Sequence, residues 1–280
     1  MAEACKTCSE SSECSGDACP AALKEMQKIK NVIAVMSGKG GVGKSSVTGL
    51  LAASLRKKGF SVGILDADVT GPSIPRLFGL KAGQLKNGGK GIIPARTSSG
   101  VEVVSINLLL PSEEEPVIWR GPIISGVIKQ FWTEVEWSEL DYLLVDLPPG
   151  TGDAPLTVMQ TLPLNGVVVV TSPQSLVSMI VQKAINMANK MNIPILGLIE
   201  NMAYLECPDC KKQIRLFGAD ITEEMAGKMG VPLLGQLPLE PRFVALCDKG
   251  QIEEFIGEAS EINRVMEEII NIFSRVEQIN

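Results

Sequence analysis

A glycine-rich segment with two lysines is the first part of the sequence that could do chemistry. It follows the apolar run Val32–Met36 and fits the pattern G-x-x-x-x-G-K-[ST]. Glycines let backbone N–H groups turn toward phosphate oxygens, and a following helix adds the positive end of its dipole. We expect Lys44 to contact the β- and γ-phosphates of ATP and Ser45 to bind Mg²⁺. The predicted nucleotide-binding residues are Gly38, Lys39, Gly40, Gly41, Val42, Gly43, Lys44, Ser45 and Ser46. A glycine-rich turn without a ligand is the alternative.

Carboxylates follow two other apolar runs. Asp146 ends the run Tyr142–Val145, which is typical of the strand whose aspartate holds Mg²⁺ through water beside the phosphates. A strand-end aspartate can instead cap the next turn. Asp66 and Asp68 follow the run Ser61–Leu65, and either one could cap a short helix beginning near Pro72.

The seven cysteines are unevenly placed. Cys207 and Cys210 form a CxxC pair, Cys247 stands alone, and the other four are Cys5, Cys8, Cys14 and Cys19. In a reducing compartment such clusters are more often metal ligands than disulfides. A tetrahedral site needs four ligands, so two subunits related by a two-fold axis could close either a [4Fe–4S] cluster or an all-thiolate zinc site. Cys247 could add a third ligand within one chain, although a reduced core thiol is the simpler expectation.

Composition excludes several classes of function. The chain has no histidine, which excludes His-ligated zinc and Ser-His-Asp hydrolysis. Lys and Arg total 26 against 32 Asp and Glu, so the net charge is −6 and any basic face must be local. We therefore expect neither nucleic acid nor a membrane as partner. The sequence shows neither a secretory signal nor a long apolar span, which predicts a cytoplasmic protein.

The elements that must position these residues alternate along the chain. Apolar runs that are not strictly alternating predict strands buried on both faces, at Val32–Met36, Ser61–Leu65, Val101–Ile106, Tyr142–Val145, Val167–Thr171, Ile195–Ile199 and Leu233–Gln236. Helical stretches lie between them, such as Lys44–Lys57 and Ser175–Met191. This pattern predicts an α/β fold with a doubly wound, mostly parallel sheet.

The domain organisation is simple. Residues 1–22 are polar, rich in Ser and Cys, and predict a flexible tail that only a metal could order. Residues 23–280 form the second unit, with one α/β domain over about 31–275. Its last segment, Glu258–Asn280, has helically spaced apolar residues and a glutamate-rich polar face. That face would be repelled by anionic lipid, so we expect a closing helix packed on the sheet.

The glycine-rich segment resembles a known group of ATPases. Its second lysine, Lys39, is similar to that of the deviant P-loop group, which includes MinD, arsenite-pump and nitrogenase iron-protein ATPases. This resemblance implies that Lys39 reaches the nucleotide of a partner subunit. It also implies that Asp68 aligns the hydrolytic water, that Asp66 supports the loop, and that Asn201 hydrogen-bonds adenine. The catalytic set is then Lys39, Lys44, Asp68 and Asp146.

Longer motifs resemble the Mrp (ApbC-type) ATPases, which include cytosolic iron–sulfur scaffolds. They are GKGGVGKSS, LDADVTGPSIPRLFG, WRGP, WSELDYLLVDLPPGTGD, TSPQSLV, IENMAYLECPDC and LFG, and they occur in the family's order across residues 31–250. The resemblance implies a homodimeric ATP-binding carrier that assembles a labile [4Fe–4S] cluster at Cys207 and Cys210 and passes it to apo-proteins. Two departures stand out: Lys211 and Lys212 follow the CxxC where the family often has Gly, and no cysteine precedes Cys5.

Two other functions are compatible with the same residues. A positioning ATPase of the MinD/ParA kind would need a basic DNA-binding face or a basic amphipathic tail, and neither is evident in the sequence. A zinc-stabilised nucleotide switch would use the same CxxC pair, because ligand spacing alone does not separate zinc from iron.

Overall fold

The structure is a computed structural model that describes residues 28–68, 71, 73–89, 91–110, 121–173, 177–218 and 222–276. The predicted cysteine tail at 1–22 lies outside these residues. The described strands are β1 Ile29–Ser37, β2 Val62–Asp66, β3 Lys86–Asn87, β4 Ile92–Ile93, β5 Ala95–Arg96, β6 Glu102–Ser105, β7 Leu140–Asp146, β8 Gly166–Thr171, β9 Ile195–Glu200, β10 Leu205–Glu206, β11 Gln213–Ile214 and β12 Leu233–Gln236. The described α-helices are α1 Lys44–Lys57, α2 Ile74–Leu77, α3 Gly121–Glu134, α4 Asp153–Thr161, α5 Val177–Lys190, α6 Thr222–Met229, α7 Pro241–Asp248 and α8 Glu261–Val276.

The main sheet has the order β12-β9-β8-β1-β7-β2-β6-β5. All of its neighbouring strands are parallel except β5, which pairs antiparallel with β6 at one edge. The predicted mostly parallel, doubly wound fold is therefore confirmed. All seven predicted strands are present, while the edge strand β5 and the hairpins β3–β4 and β10–β11 were not predicted.

Helices cover both faces of the sheet because successive side chains of a strand point to opposite sides. In β1, Ile33 and Val35 pack in one buried cluster with residues of α1 and α8. Val32, Ala34 and Met36 pack in a second cluster with residues of α3, α4 and α5. Full burial of such an aliphatic side chain contributes roughly 1.5–3 kcal/mol, so the two clusters fix the sheet between its helical layers.

The helices that frame the site largely match the prediction. Helix α1 has the predicted bounds, Lys44–Lys57. The positive charges of Arg56 and Lys57 in its last turn interact favourably with the negative end of the helix dipole. Helix α5, Val177–Lys190, covers most of the predicted Ser175–Met191 stretch, of which 175 and 176 lie outside the described residues. The predicted short helix near Pro72 is α2, whereas α3, α4, α6 and α7 were not predicted.

Helix α8 closes the domain against the sheet, as predicted. It buries the helically spaced Ile262, Val265, Met266, Ile269, Ile270 and Phe273. Its exposed side carries Arg264, which forms ion pairs with Glu261 and Glu268. Within the described part of the chain, no helix has the length and apolar character needed to cross a bilayer.

Candidate functional site

The carboxyl ends of the parallel strands β1, β2 and β7 meet at one edge of the sheet. Asp66 at the end of β2 lies in register with Asp146 at the end of β7, and Asp146 lies in register with Val35 of β1. The segment from Gly38 to Gly43 then connects β1 to the first residue of α1. The topology therefore places the glycine-rich loop and both strand-end carboxylates together.

The glycine-rich loop depends on backbone conformations that favour glycine. Gly41 and Gly43 have φ values of 80° and 76°, in the left-handed region. A Cβ on Gly43 would also lie 2.3 Å from the amide nitrogen of Asn201, and one on Gly38 would lie 2.5 Å from a methyl carbon of Ile180. Both positions are thus restricted by close neighbours, which hold the loop in one shape.

The loop surrounds a cavity of about 210 Å³. Its lining residues are Ser37, Lys39, Gly40, Gly41, Val42, Gly43, Lys44, Ser45, Ser46, Asp68, Ser73 and Pro149. The structure thus brings together all predicted nucleotide-binding residues of the loop except Gly38, which packs on Ile180. Lys39 and Asp68 line the same cavity, so a bound phosphate chain would lie between a cation and a carboxylate.

Asp146 is the centre of the polar contacts behind the loop. Its side chain is fully buried, and its Oδ2 lies 2.8 Å from the equally buried Lys44 Nζ. Ser45 Oγ donates a 2.5 Å hydrogen bond to Oδ2, and Thr48 Oγ1 donates a 2.8 Å hydrogen bond to Oδ1. The hydroxyl of Ser45 and the carboxylate of Asp146 are the hard oxygen donors that Mg²⁺ prefers, so these residues fit a magnesium ion.

Asp66 lies next to Asp146 and is also fully buried. Burial, together with the neighbouring negative charge of Asp146, raises the pKa of Asp66 to about 8, although Lys44 opposes this shift. Ser105 Oγ donates to Asp66 Oδ2 at 3.1 Å, and the backbone N–H of Asp68 donates to Oδ1 at 3.2 Å. Asp66 therefore holds the turn that presents Asp68 to the cavity, consistent with the supporting role expected for it.

Asn201 lies against the loop at the same edge of the sheet, at the end of a strand two positions away from β1. It follows β9, and its backbone N–H donates to Thr171 O at 2.8 Å. Its side-chain amide donates to Val42 O at 3.0 Å, across 159 residues of sequence. In the structure this amide braces the glycine-rich loop, while the adenine contact implied by the resemblance stays a prediction.

Cys207 and Cys210 lie in the turn of the β10–β11 hairpin, outside the main sheet. The turn is closed by Cys207 N–H donating to Lys212 O and by Lys211 N–H donating to Cys207 O, both at 3.0 Å. Lys211 adopts a left-handed φ of 59°, a conformation that favours glycine. Cys207 is half-buried and Cys210 is exposed, so the pair faces solvent or a partner.

The turn favours a thiolate at Cys207. Backbone N–H groups of Cys210 and Asp209, followed by the Cys210 thiol and the Lys211 charge, lower the pKa of Cys207. Thiolates are the ligands of both zinc and iron–sulfur sites. The donor type therefore fits either centre, and the two thiols of this turn number half of the four ligands that such a centre takes.

Cys247 does not join this pair. It is buried in α7, and burial raises the pKa of its thiol to about 11. Over the ranges that the structure describes, no three Cys, Asp or Glu side chains lie close enough together to hold a metal ion. Cys247 is thus a core thiol, as the simpler expectation had it, whereas the predicted ligands Cys5, Cys8, Cys14 and Cys19 lie outside the described residues.

Three contributing residues were missed from the sequence. Thr48 follows Lys44 by one helical turn, so helix periodicity could have placed its hydroxyl on the side facing Asp146. Ser105 ends β6, and only the strand order brings it to Asp66. Met202 is a non-glycine residue with a left-handed φ of 58° beside Asn201, and no sequence signal marks this conformation.

The chain is similar in sequence to proteins whose family is known. A protein-family model described as ParA, NUBPL iron-transfer P-loop NTPase, matches residues 28–274. A relative from Clostridium perfringens, described as an iron-sulfur cluster carrier protein, is 48% identical over 262 residues, which cover 91% of this chain and 92% of the relative.

Solved structures also resemble this chain. A nucleotide-binding protein from Archaeoglobus fulgidus, in complex with ADP, is 47% identical and has a TM-score of 0.76, covering 85% of this chain and 94% of that one. The cell division ATPase MinD of Pyrococcus furiosus has a TM-score of 0.64 at 21% identity, covering 88% and 99% of the two chains. At that identity the likeness to MinD shows the fold alone.

Proposed function

The chain belongs to the NUBPL-type family of iron-transfer P-loop NTPases, and on that premise we propose that it is an ATP-dependent iron–sulfur cluster carrier. Its cargo is a labile [4Fe–4S] cluster, which it assembles and passes to apo-proteins. The observation that carries this proposal is the combination, in one chain, of a complete phosphate-binding loop and the thiolate-stabilising turn of Cys207 and Cys210.

ATP hydrolysis follows from the residues around the cavity. Lys44 binds the β- and γ-phosphates, and Asp68 orients the attacking water. Ser45 and Asp146 would hold Mg²⁺, which when bound would supply positive charge to offset the charge developing on the phosphate oxygens. Lys39 also lines the cavity, and it is the residue expected to reach the nucleotide of a second subunit. Asn201 remains the expected adenine contact.

A homodimer completes the cargo site. Each chain offers two thiols in an outward-facing turn, whereas a [4Fe–4S] cluster takes four cysteine ligands. Exposed apolar side chains follow the turn: Ile214, Leu216 and Phe217 are 42%, 53% and 44% exposed. Three exposed apolar side chains within four residues, beside half a ligand set, support a two-fold interface at the hairpin. Ligands shared across an interface also account for lability, since any shift of the subunits moves half of them.

Nucleotide and cargo are coupled through this dimer. ATP bound between the subunits, with Lys39 crossing over, changes the spacing of the two Cys207–Cys210 turns and so changes how firmly the cluster is held. The N-terminal cysteines, Cys5, Cys8, Cys14 and Cys19, lie outside the described residues and stay predicted metal ligands. The cysteine content suits the reducing cytoplasm, where apo iron–sulfur proteins are the acceptors.

Anaerobic reconstitution tests the carrier function. Iron and sulfide are counted per dimer in a background whose four N-terminal cysteines are serine, with and without Cys207→Ala. We expect four irons per dimer before the substitution and loss of the cluster after it. Cys247→Ala is the matched control and should retain the cluster, because its thiol is buried elsewhere. Unchanged iron in Cys207→Ala contradicts the proposal, and stoichiometric zinc in protein purified without oxygen would favour the zinc switch.

A second measurement tests the use of ATP. Lys44→Ala should weaken nucleotide binding and leave both hairpin thiols free to react. Cluster transfer from this variant to an apo-acceptor should then be slower than from the unsubstituted protein. Transfer at the normal rate would show that nucleotide and cargo are independent.

A further inference from the structure

We propose that Asn201 and Met202 are positioning residues that link the phosphate-binding loop to the Cys207–Cys210 turn within each subunit. The inference rests on the proposed carrier function and names a route by which nucleotide binding reaches the cargo site without first crossing the subunit interface. It is carried by a continuous series of contacts from Val42 to Cys207.

The first contacts are with the loop itself. Asn201 donates its side-chain amide to Val42 O at 3.0 Å. Gly43 follows Val42, and a Cβ placed on it would lie 2.3 Å from the same amide nitrogen and 3.5 Å from the terminal methyl of Met202. If residues 42 and 43 move when phosphates bind the loop N–H groups, the side chains of Asn201 and Met202 must therefore move as well.

The next contacts fix Asn201 and Met202 to the end of β9. Asn201 N–H donates to Thr171 O and Leu237 N–H donates to Glu200 O, each at 2.8 Å, so this strand end is held on both sides. Met202 then takes a left-handed φ of 58°, a conformation that a non-glycine residue adopts only when its surroundings impose it. The turn is therefore a constrained junction, and a change of Met202 toward the more common right-handed region is the change of state that the proposal invokes.

The final contacts lead to the thiols. Ala203 N–H donates to Leu237 O at 2.9 Å, and Leu239 N–H donates to Tyr204 O at 2.7 Å. Strand β10 begins at the next residue and ends directly before Cys207. Met202 and Cys207 are thus separated by at most about 17 Å of extended chain. A change at the junction shifts or reorients the hairpin that carries the thiols.

A thermodynamic cycle tests this route. Full-length protein with serine at Cys5, Cys8, Cys14 and Cys19 is titrated anaerobically with Co²⁺, read by its thiolate absorption, with and without saturating Mg-ADP. We expect ADP to change the Co²⁺ affinity about five-fold or more, and Co²⁺ to change the ADP affinity by the same factor, since coupling is reciprocal. Asn201→Ala and Met202→Gly should reduce both factors to below about two-fold.

The chain provides a matched control for Met202→Gly. Asn192 precedes β9 at its opposite end and also has a left-handed φ, of 54°. Asn192→Gly likewise places glycine at a position with a left-handed φ, but away from the loop. This variant should therefore keep the full coupling factor. Met202→Gly favours the observed φ, so it remains informative where Asn201→Ala fails to fold.

The outcomes separate the link from the carrier function. Two results would overturn the proposed link: full coupling in Met202→Gly, or no effect of ADP on the Co²⁺ affinity of the protein without a substitution at these positions. In either case, Co²⁺ binding that depends on Cys207 still supports the cargo site. Co²⁺ binding that persists in Cys207→Ala contradicts the cargo site itself and the link with it.

Discussion

Lys44 Nζ lies 2.8 Å from Asp146 Oδ2, and both side chains are buried behind the phosphate-binding loop. The ammonium group that is expected to bind phosphate thus also neutralises the carboxylate expected to hold magnesium. Ser45 and Thr48 donate to the same carboxylate, so the pair is surrounded by hydrogen bonds that compensate for lost hydration. The same ion pair is therefore expected to affect both the stability of the fold and the binding of nucleotide.

Lys44→Met should destabilise the protein because it leaves Asp146 charged and buried. Removing one partner of such a pair costs about 3–5 kcal/mol, whereas replacing both is often close to neutral. We expect the double variant Lys44→Met/Asp146→Asn to recover most of the free energy of unfolding without recovering nucleotide binding. Urea unfolding and nucleotide titration measure the two effects. Equal stability of Lys44→Met and the unsubstituted protein would show that the pair contributes nothing.

Asp66 should make stability fall as pH rises. Its pKa is raised to about 8 in the folded state, so its contribution is complete below the unfolded pKa near 3.8 and is lost as pH rises through 8. Asp66→Asn mimics the protonated form and should remove this slope, which is at most about 1.4 kcal/mol per pH unit. Unfolding free energies between pH 5 and 8 measure it. Asp141→Asn is the control, because the pKa of Asp141 is lowered in the folded protein and its carboxyl therefore titrates below this pH range.

Gly43→Ala should damage the loop more than a matched glycine substitution elsewhere. Gly43 and Gly59 both have left-handed φ values, 76° and 94°, but only a Cβ on Gly43 meets another atom, at 2.3 Å from Asn201. Gly59→Ala should cost about 1–2 kcal/mol from the backbone conformation alone. Gly43→Ala should cost more and weaken ADP binding, as measured by denaturation and calorimetry. Equal effects of the two variants would contradict the close packing of Asn201 on the loop.

Cys207 should react with iodoacetamide much faster than Cys247. Backbone donors lower the pKa of Cys207, while burial raises that of Cys247 to about 11. Because the thiolate is the nucleophile, we expect at least about a tenfold difference in rate at neutral pH. Mass spectrometry of peptides from the protein with serine at the four N-terminal cysteines gives both rates. In denaturant the difference should largely vanish, and a difference that persisted would not be caused by the fold.

Phe217→Ser should weaken the homodimer. Phe217 is 44% exposed beside the Cys207–Cys210 hairpin, and Val244 on α7 has the same exposed fraction. If the hairpin surface is the interface, Phe217→Ser should raise the dimer dissociation constant about tenfold or more, as an aromatic interface residue can. Val244→Ser should leave it unchanged. Sedimentation velocity over a concentration series distinguishes them, and equal association of the two variants would place the interface elsewhere.

The local parts of the fold and site could be predicted from the sequence. The strand–loop–helix unit around Gly38–Ser45 is contiguous, so its pattern contains the whole structure that binds phosphate. The buried strands and α8 also have clear patterns in the sequence. A strand buried on both faces gives a continuous apolar run, and a helix buried along one stripe gives apolar residues at helical spacing. Even Asp146 could be placed, since the carboxyl ends of parallel strands share one edge of the sheet.

The tertiary structure decided what the distant residues do. Strand order brings Ser105 to Asp66 and Asn201 to Val42, and these contacts depend on packing between segments far apart in the chain. It also sets how far each thiol is buried, since Cys247 is buried and Cys210 is exposed. Local patterns specify elements, because they depend on neighbouring residues. Which side chains meet depends on how those elements pack around two cores, and no local pattern contains that arrangement.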